Sequence, residues 1–193
     1  MTVFWRQGYE GASISGLTKA MGINPPSLYA CFGSKEGLFK AVLERYDQRR
    51  ETFMTEVLAA PTAAAVAEAY LMGVVAFTSD TGGRNPPGCL MVQGGLSCGD
   101  KDIPDMLARH RAEKEAMLRT RFEQARKSGD LSKTSDAAAL ARYLMVMANG
   151  ICVQAAAGAT PKELREVAAM ALMNWPAAAV AAPSKKSRVK EPA

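Results

Sequence analysis

The sequence predicts an all-α protein, on three observations. Of its 193 residues 48% are apolar but only 7% aromatic, with 11 methionines and abundant alanine, a bias toward helix packing rather than sheet packing. Apolar residues recur at i, i+3 and i+4 along most of the chain, and no alternating β-branched run is bounded by hairpin turn chemistry. Glycine, proline and short polar residues fall where the periodic segments begin and end. Together they divide the chain into about nine helices: an amino-terminal three-helix head over residues 1–46, a helical body over 47–176, and a basic, disordered tail over 177–193.

The elements follow in order. Val3–Gln7 reads as the end of a first helix, stopped at Gly8. Ile14–Met21 carries Ile14, Leu17 and Met21 at helical spacing, with Ser13 as N-cap and Gly22 as stop. Asn24 caps a short helix with Pro25 at its first position, where a missing N–H costs nothing, and Gly33 ends it after Phe32. Ser34 caps a long helix that can continue to Leu58. Pro61 and Thr62 mark a new start, and Ala63–Ser79 has Val66, Tyr70, Val74 and Phe77 on one stripe. Thr81–Gly88 is a loop, and Cys89–Ser97 a short helix. Ile103–Ser128 is amphipathic, with Met106, Leu107, Met117, Leu118 and Phe122 opposite a charged face. Ser135–Ala157 is apolar nearly all round and must be covered on more than one side. Thr160-Pro161-Lys162-Glu163 is a capping box opening a last helix through Leu164, Val167, Leu172 and Trp175, closed by Pro176.

The net charge of +5 is unevenly placed: residues 1–50 carry seven Lys/Arg against four Asp/Glu, while residues 51–183 carry thirteen against fourteen. A basic head on a neutral body suits a polyanion partner, although such a balance is also common on ordinary surfaces. The four cysteines (Cys31, Cys89, Cys98, Cys152) have no CxxC spacing, which argues for reduced thiols in a cytoplasm and against a zinc site. With one histidine, no clustered carboxylates and no Gly-rich phosphate loop, neither a metal, a cofactor nor an enzyme is expected. The most apolar window, Tyr143–Ala159, is interrupted by Asn149 and Gln154, as suits a helix covered by protein rather than lipid.

Two short helices joined at Gly22 make a helix-turn-helix candidate, whose second helix would enter a major groove N-terminus first. By spacing alone a structural helical hairpin is favoured over DNA binding. The residues decide between these: Phe4, Gly8-Tyr9, Gly11, Ser13-Ile14, then Leu17-Thr18, Ala20, Gly22-Ile23, then Ser27-Leu28-Tyr29 and Phe32-Gly33-Ser34-Lys35-Glu36 with Leu38. This pattern closely resembles the signature of the TetR/AcrR family of bacterial repressors over about the first forty-five residues. The resemblance implies a sequence-specific, DNA-binding transcriptional regulator. Its operator contacts would come from Ser13, Thr18, Asn24, Pro25, Pro26, Ser27, Tyr29 and Lys35. Tyr29 and Lys35 would meet phosphates, Ser13 and Thr18 would donate hydroxyls to the backbone, and Asn24 to Ser27 lie where base readers are expected. Where relatives often have basic or hydrogen-bonding residues, this chain has Pro25, Ala30 and Cys31. Bidentate guanine readout is therefore absent there, and specificity should lean on DNA shape.

The resemblance further implies a homodimer through the last two helices and a small-molecule effector within the central ones. Both last helices carry apolar stripes that would otherwise be exposed. Tyr70, Phe77, Met91, Met117, Phe122, Tyr143 and Met147 are the candidate pocket residues, although such stripes also build plain cores. Few charges fall on them, so an apolar or aromatic effector is expected, releasing a repressor from its operator. Cys89 follows Pro86-Pro87-Gly88 at a helix start, where a thiol can be activated as a sensor. The competing reading is an all-α small-molecule-binding or interaction protein with a degenerate head. The residues before Gly8 allow only about two helical turns, which would leave Ile14, Leu17 and Phe32 partly uncovered, so either an upstream extension of the first helix or a weakened head that binds DNA poorly is expected.

Overall fold

The computed structural model describes residues 1–79, 86–95 and 102–176, and among them it has nine helices and no strand. The helices are α1 (Thr2–Gly11), α2 (Ile14–Met21), α3 (Pro25–Phe32), α4 (Lys35–Leu58), α5 (Ala63–Ser79), α6 (Leu90–Gly95), α7 (Asp102–Ser128), α8 (Ala137–Ala156) and α9 (Pro161–Met173). Most of the expected loop at 81–88, Leu96 and Ser97 of the expected sixth helix, Cys98, and the tail at 177–193 lie outside the described residues.

Three boundaries differ from the sequence reading. Helical geometry does break at Gly8 (φ 69°, ψ 179°), but the chain turns again and α1 runs to Gly11. The break swings Tyr9 inward, where its ring meets Phe39 at 5.2 Å and Phe4 at 6.3 Å. The eighth helix starts at Ala137 rather than Ser135, capped by Asp136, one carboxylate oxygen of which accepts from the N–H groups of Ala138 (2.9 Å) and Ala139 (3.1 Å). A carboxylate takes two orphan donors there and also suits the positive end of the helix dipole. The last helix stops at Met173, before Trp175, whose ring lies 5.3 Å from Phe122 of α7.

The body is built round α5, which buries Val66, Ala67, Tyr70, Leu71, Val74 and Val75 against α4, α7, α8 and α9. Its first N–H groups need partners, and Asp130 supplies one by accepting from Ala63 N at 2.6 Å. At the far end of α4, Arg121 donates to the carbonyls of Leu58 (3.1 Å) and Ala60 (2.8 Å), closing the turn before α5. By length and composition α8 could cross a membrane; here it packs against α5, α6, α7 and α9. Even so, Val146 and Val153 of α8 and Val167, Met170 and Met173 of α9 remain exposed, Met173 by 83%.

The head joins this body through α1, which packs against α2 and also reaches α6. Of the three residues expected to lose cover above a short first helix, Ile14 and Phe32 are half-buried, but Leu17 is fully covered because it faces the head's core.

The capping box at Thr160 generates the first prediction. Hydrogen bonds from the Thr160 hydroxyl and backbone hold the Glu163 carboxyl below its ordinary value. A lowered folded value means a contribution present above the unfolded carboxylate value and lost as pH falls through the folded one. Thr160→Ala should lower the melting temperature by about 2–4 °C at neutral pH. The gap to wild type should narrow as Glu163 protonates, which circular-dichroism melts across an acid series will read.

Candidate nucleic-acid interface and ligand cavity

The head presents α3 outward. Ser13 caps α2 by accepting from Gly16 N at 3.0 Å, and Gly22, at φ 68°, ends α2 in the left-handed geometry that the sharp turn requires. Asn24 then caps α3, its Oδ1 accepting from Ser27 N at 2.9 Å, with Pro25 and Pro26 in the first turn. Leu28 is fully buried and Phe32 half-buried, while every residue from Asn24 to Ser27 and from Tyr29 to Cys31 is exposed. So short a helix is not stable alone; Leu28 and its caps hold it for presentation.

The start of α4 locks α3 from behind. Ser34 caps it by accepting from Gly37 N at 3.0 Å, and a Cβ at Gly37 would stand 2.0 Å from the carbonyl oxygen of Phe32. Only glycine allows α4 to start that close to the end of α3.

The expected contact residues divide into two groups. Ser13, Asn24, Pro25, Pro26, Ser27 and Tyr29 are all exposed on the head. Lys35 is half-buried: its ammonium lies over the Tyr9 ring, 4.6 Å from the centroid, and donates to Glu10 O at 3.4 Å, which ties α4 to α1 and leaves donors to spare. Thr18 departs from the expectation. It is 5% exposed and its hydroxyl turns back on the carbonyls of Ile14 (2.9 Å) and Ser15 (3.2 Å), as a mid-helix threonine does when it faces the core. That removes it from the phosphate-facing set.

In the body, a cavity of about 40 Å³ lies between α5, α6, α7 and α8. Of the pocket residues suggested by sequence, Tyr70 and Met91 line it, as does Cys89. The others sit elsewhere because their stripes meet different helices. Phe122 is buried under Trp175, and Tyr143 donates to Ala171 O at 3.0 Å, holding α8 to α9. Met117 faces outward beside Arg121, Phe77 lies at the edge of Tyr46, and Met147 is half-buried away from the cavity. Cys89 is buried and accepts a hydrogen bond from the Tyr46 hydroxyl at 3.3 Å, a sheltered thiol rather than an open helix-end one. Cys152, buried as well, also lines the cavity.

Sequence reading missed His110, Arg111 and Lys114, which line one side of the cavity. They stand on the charged face of α7, which looked like solvent. Lys114 is bound to Asp47 of α4, and His110 Nδ1 lies 3.4 Å from the other oxygen of the same carboxylate. The available signal was the i, i+4 spacing of His110 and Lys114 beside a half-apolar helix face.

Comparison with known proteins bears on this arrangement. Residues 1–42 match the family described as bacterial regulatory proteins, tetR family. Over 185 residues the chain is 34% identical to the HTH-type transcriptional repressor ComR of Escherichia coli K12, covering 91% of this chain and 85% of ComR. The chain belongs to the TetR family. Its head is therefore that of a DNA-binding transcriptional regulator, as the exposed α3 indicates. Over 44 residues the identity to the Escherichia coli K12 repressor BdcR is 52%. Among solved TetR-family structures, the regulator CifR, complexed with 26 bp operator DNA as a cysteine mutant, is 39% identical with a TM-score of 0.84, covering 91% of this chain and 92% of that one. A putative family member from Rhodococcus sp. RHA1 is 45% identical with a TM-score of 0.63, covering 91% and 94%.

The contact behind α3 is directly testable. Gly37→Ala must push a Cβ into the Phe32 carbonyl, and backbone cannot yield as a side chain would. A loss of about 1–3 kcal/mol is expected, with DNA binding falling more than the melt of the body. A variant with wild-type melting and wild-type DNA affinity would show that α4 starts farther from α3.

Proposed function

We propose that this protein is a homodimeric transcriptional repressor of the cytoplasm that releases its operator when a small molecule enters the cavity between α5, α6, α7 and α8. The observation that carries the reading is α3: a two-turn helix held by Leu28 and its two caps, with its other faces given to the outside. Ser13, Asn24, Pro25, Pro26, Ser27, Tyr29 and Lys35 are the contact residues we assign. Tyr29 and Lys35 serve phosphates. The two prolines offer only van der Waals contact to base edges, so operator choice rests on groove shape. The likeness to CifR on its operator supports reading the present conformation as the DNA-competent one.

The dimer reading rests on the exposed apolar residues of α8 and α9, a patch that water-facing helices do not ordinarily carry. A twofold interface there would carry two copies of α3 to half-sites about one DNA turn apart. The cavity walls of Val74, Met91, Met145 and Ala148 suit the apolar part of an effector.

Two tests follow. On DNA from the intergenic region upstream of its own gene, the protein should shift a labelled fragment, and affinity should fall steeply with salt through counterion release. Tyr29→Phe should weaken binding several-fold, about 1 kcal/mol, with an unchanged melt. An unshifted fragment at low salt, or a Tyr29→Phe equal to wild type, counts against the assignment. For the dimer, Val146→Glu with Met170→Glu should give monomers by light scattering and lose the gel shift; a full dimer would move the interface off this face.

A further inference from the structure

The cavity has two unlike halves. Val74, Met91, Met145 and Ala148 make an apolar interior, and His110, Arg111 and Lys114 of α7 put cationic and polar groups on one wall. Lys114 reaches from that wall to Asp47, in the middle of α4, the helix that begins directly behind α3. Its ammonium also lies 3.9 Å from Met91 Sδ, so it stands at the boundary between the two halves. His110 Nδ1 is shut off from solvent and accepts or donates no hydrogen bond, although Asp47 Oδ2 is 3.4 Å away; Glu113, on the same helix, is 3.9 Å from it and largely exposed. One carboxylate thus faces an ammonium and an unsatisfied imidazole nitrogen, and that carboxylate belongs to the helix carrying the head.

We propose that the effector site is an anion site: a small carboxylate takes the place of Asp47 at Lys114 and His110, and the freed α4 carries the head out of its DNA-competent position. This rests on the ligand-released reading above and names its ligand class. A ligand shifts an equilibrium only by its differential affinity for the two states. A neutral apolar molecule can fill the walls with the Lys114–Asp47 pair intact, which favours neither state. An ammonium would have to displace Lys114 and then sit beside the Arg111 guanidinium, a charge of its own sign. A carboxylate binds only where Asp47 has let go, so competition supplies the differential affinity directly. The cavity holds roughly three water-sized groups before Asp47 moves, which limits the tail to a short chain.

The test uses the full chain, with sodium salts of straight-chain carboxylic acids from acetate to hexanoate, and their primary amides, at constant ionic strength. Calorimetry without DNA reads binding; anisotropy of a labelled operator fragment reads release. At least one acid should bind, its amide about ten-fold more weakly, and Lys114→Met should abolish binding of the acid. Asp47→Asn should lower operator affinity about ten-fold and no longer respond to the acid. Asp47→Glu, which keeps the carboxylate, should restore affinity, separating loss of the latch from loss of the fold. An amide that binds as tightly as its acid, no binding by any acid, or an Asp47→Asn with wild-type operator affinity overturns the proposal. If amides release the operator while acids do not, the ligand-released repressor stands and the anion site falls. If the protein binds no operator at all, the repressor reading falls, and calorimetry still decides the anion site.

Discussion

Head and body meet on one aromatic ring. Tyr46 is 2% exposed; its ring is edge-on to Trp5 of α1 at 5.2 Å and to Phe77 of α5 at 5.9 Å, and its hydroxyl donates to Cys89 beside α6. Each such ring pair adds about 0.5–1.5 kcal/mol beyond the area it buries. Because Tyr46 lies on α4, whose first turn is locked behind α3, any tilt of α4 disturbs three helices at once. The orientation of the DNA-reading helix is consequently set in the body, by the partners of residues 46 and 47.

That arrangement also anchors α1. A two-turn helix ending in a break at Gly8 would fray by itself. Here Phe4 meets Phe39 edge-on at 4.8 Å, Trp5 meets Tyr46, and Tyr9 lies under the Lys35 ammonium. Tertiary packing on α4 and α6 supplies the stability that helix length does not.

The cavity is the second consequence. An interior packed like a crystal leaves few voids, and this one forms where the irregular approach to α6 brings Cys89 and Met91 between α5, α7 and α8. Its polar side exists because α7 turns part of its charged face inward to reach α4. A cation such as Lys114, only 15% exposed, is tolerable there because Asp47 answers it. Removing either partner strands the other, and this makes the pair a natural point of control.

The order of the helices, most of their caps and the family were legible in the chain, because those signals are local. Ser13, Asn24, Ser34 and Thr160 accept from the backbone N–H three residues ahead, and Gly22 and Gly33 end α2 and α3 by their own backbone geometry. The apolar period likewise depends on nothing beyond the segment that carries it. Sequence could not say which stripe meets which. It grouped Phe122, Tyr143 and Met117 with Tyr70 and Met91, whereas they face Trp175, α9 and the outside, and it left His110 and Lys114 to solvent. It also offered Thr18 to DNA, since a threonine that bonds its own helix looks the same in one dimension as one that bonds a phosphate. Those choices depend on the rotation and crossing of helices far apart in the chain, which only the packed tertiary structure decides.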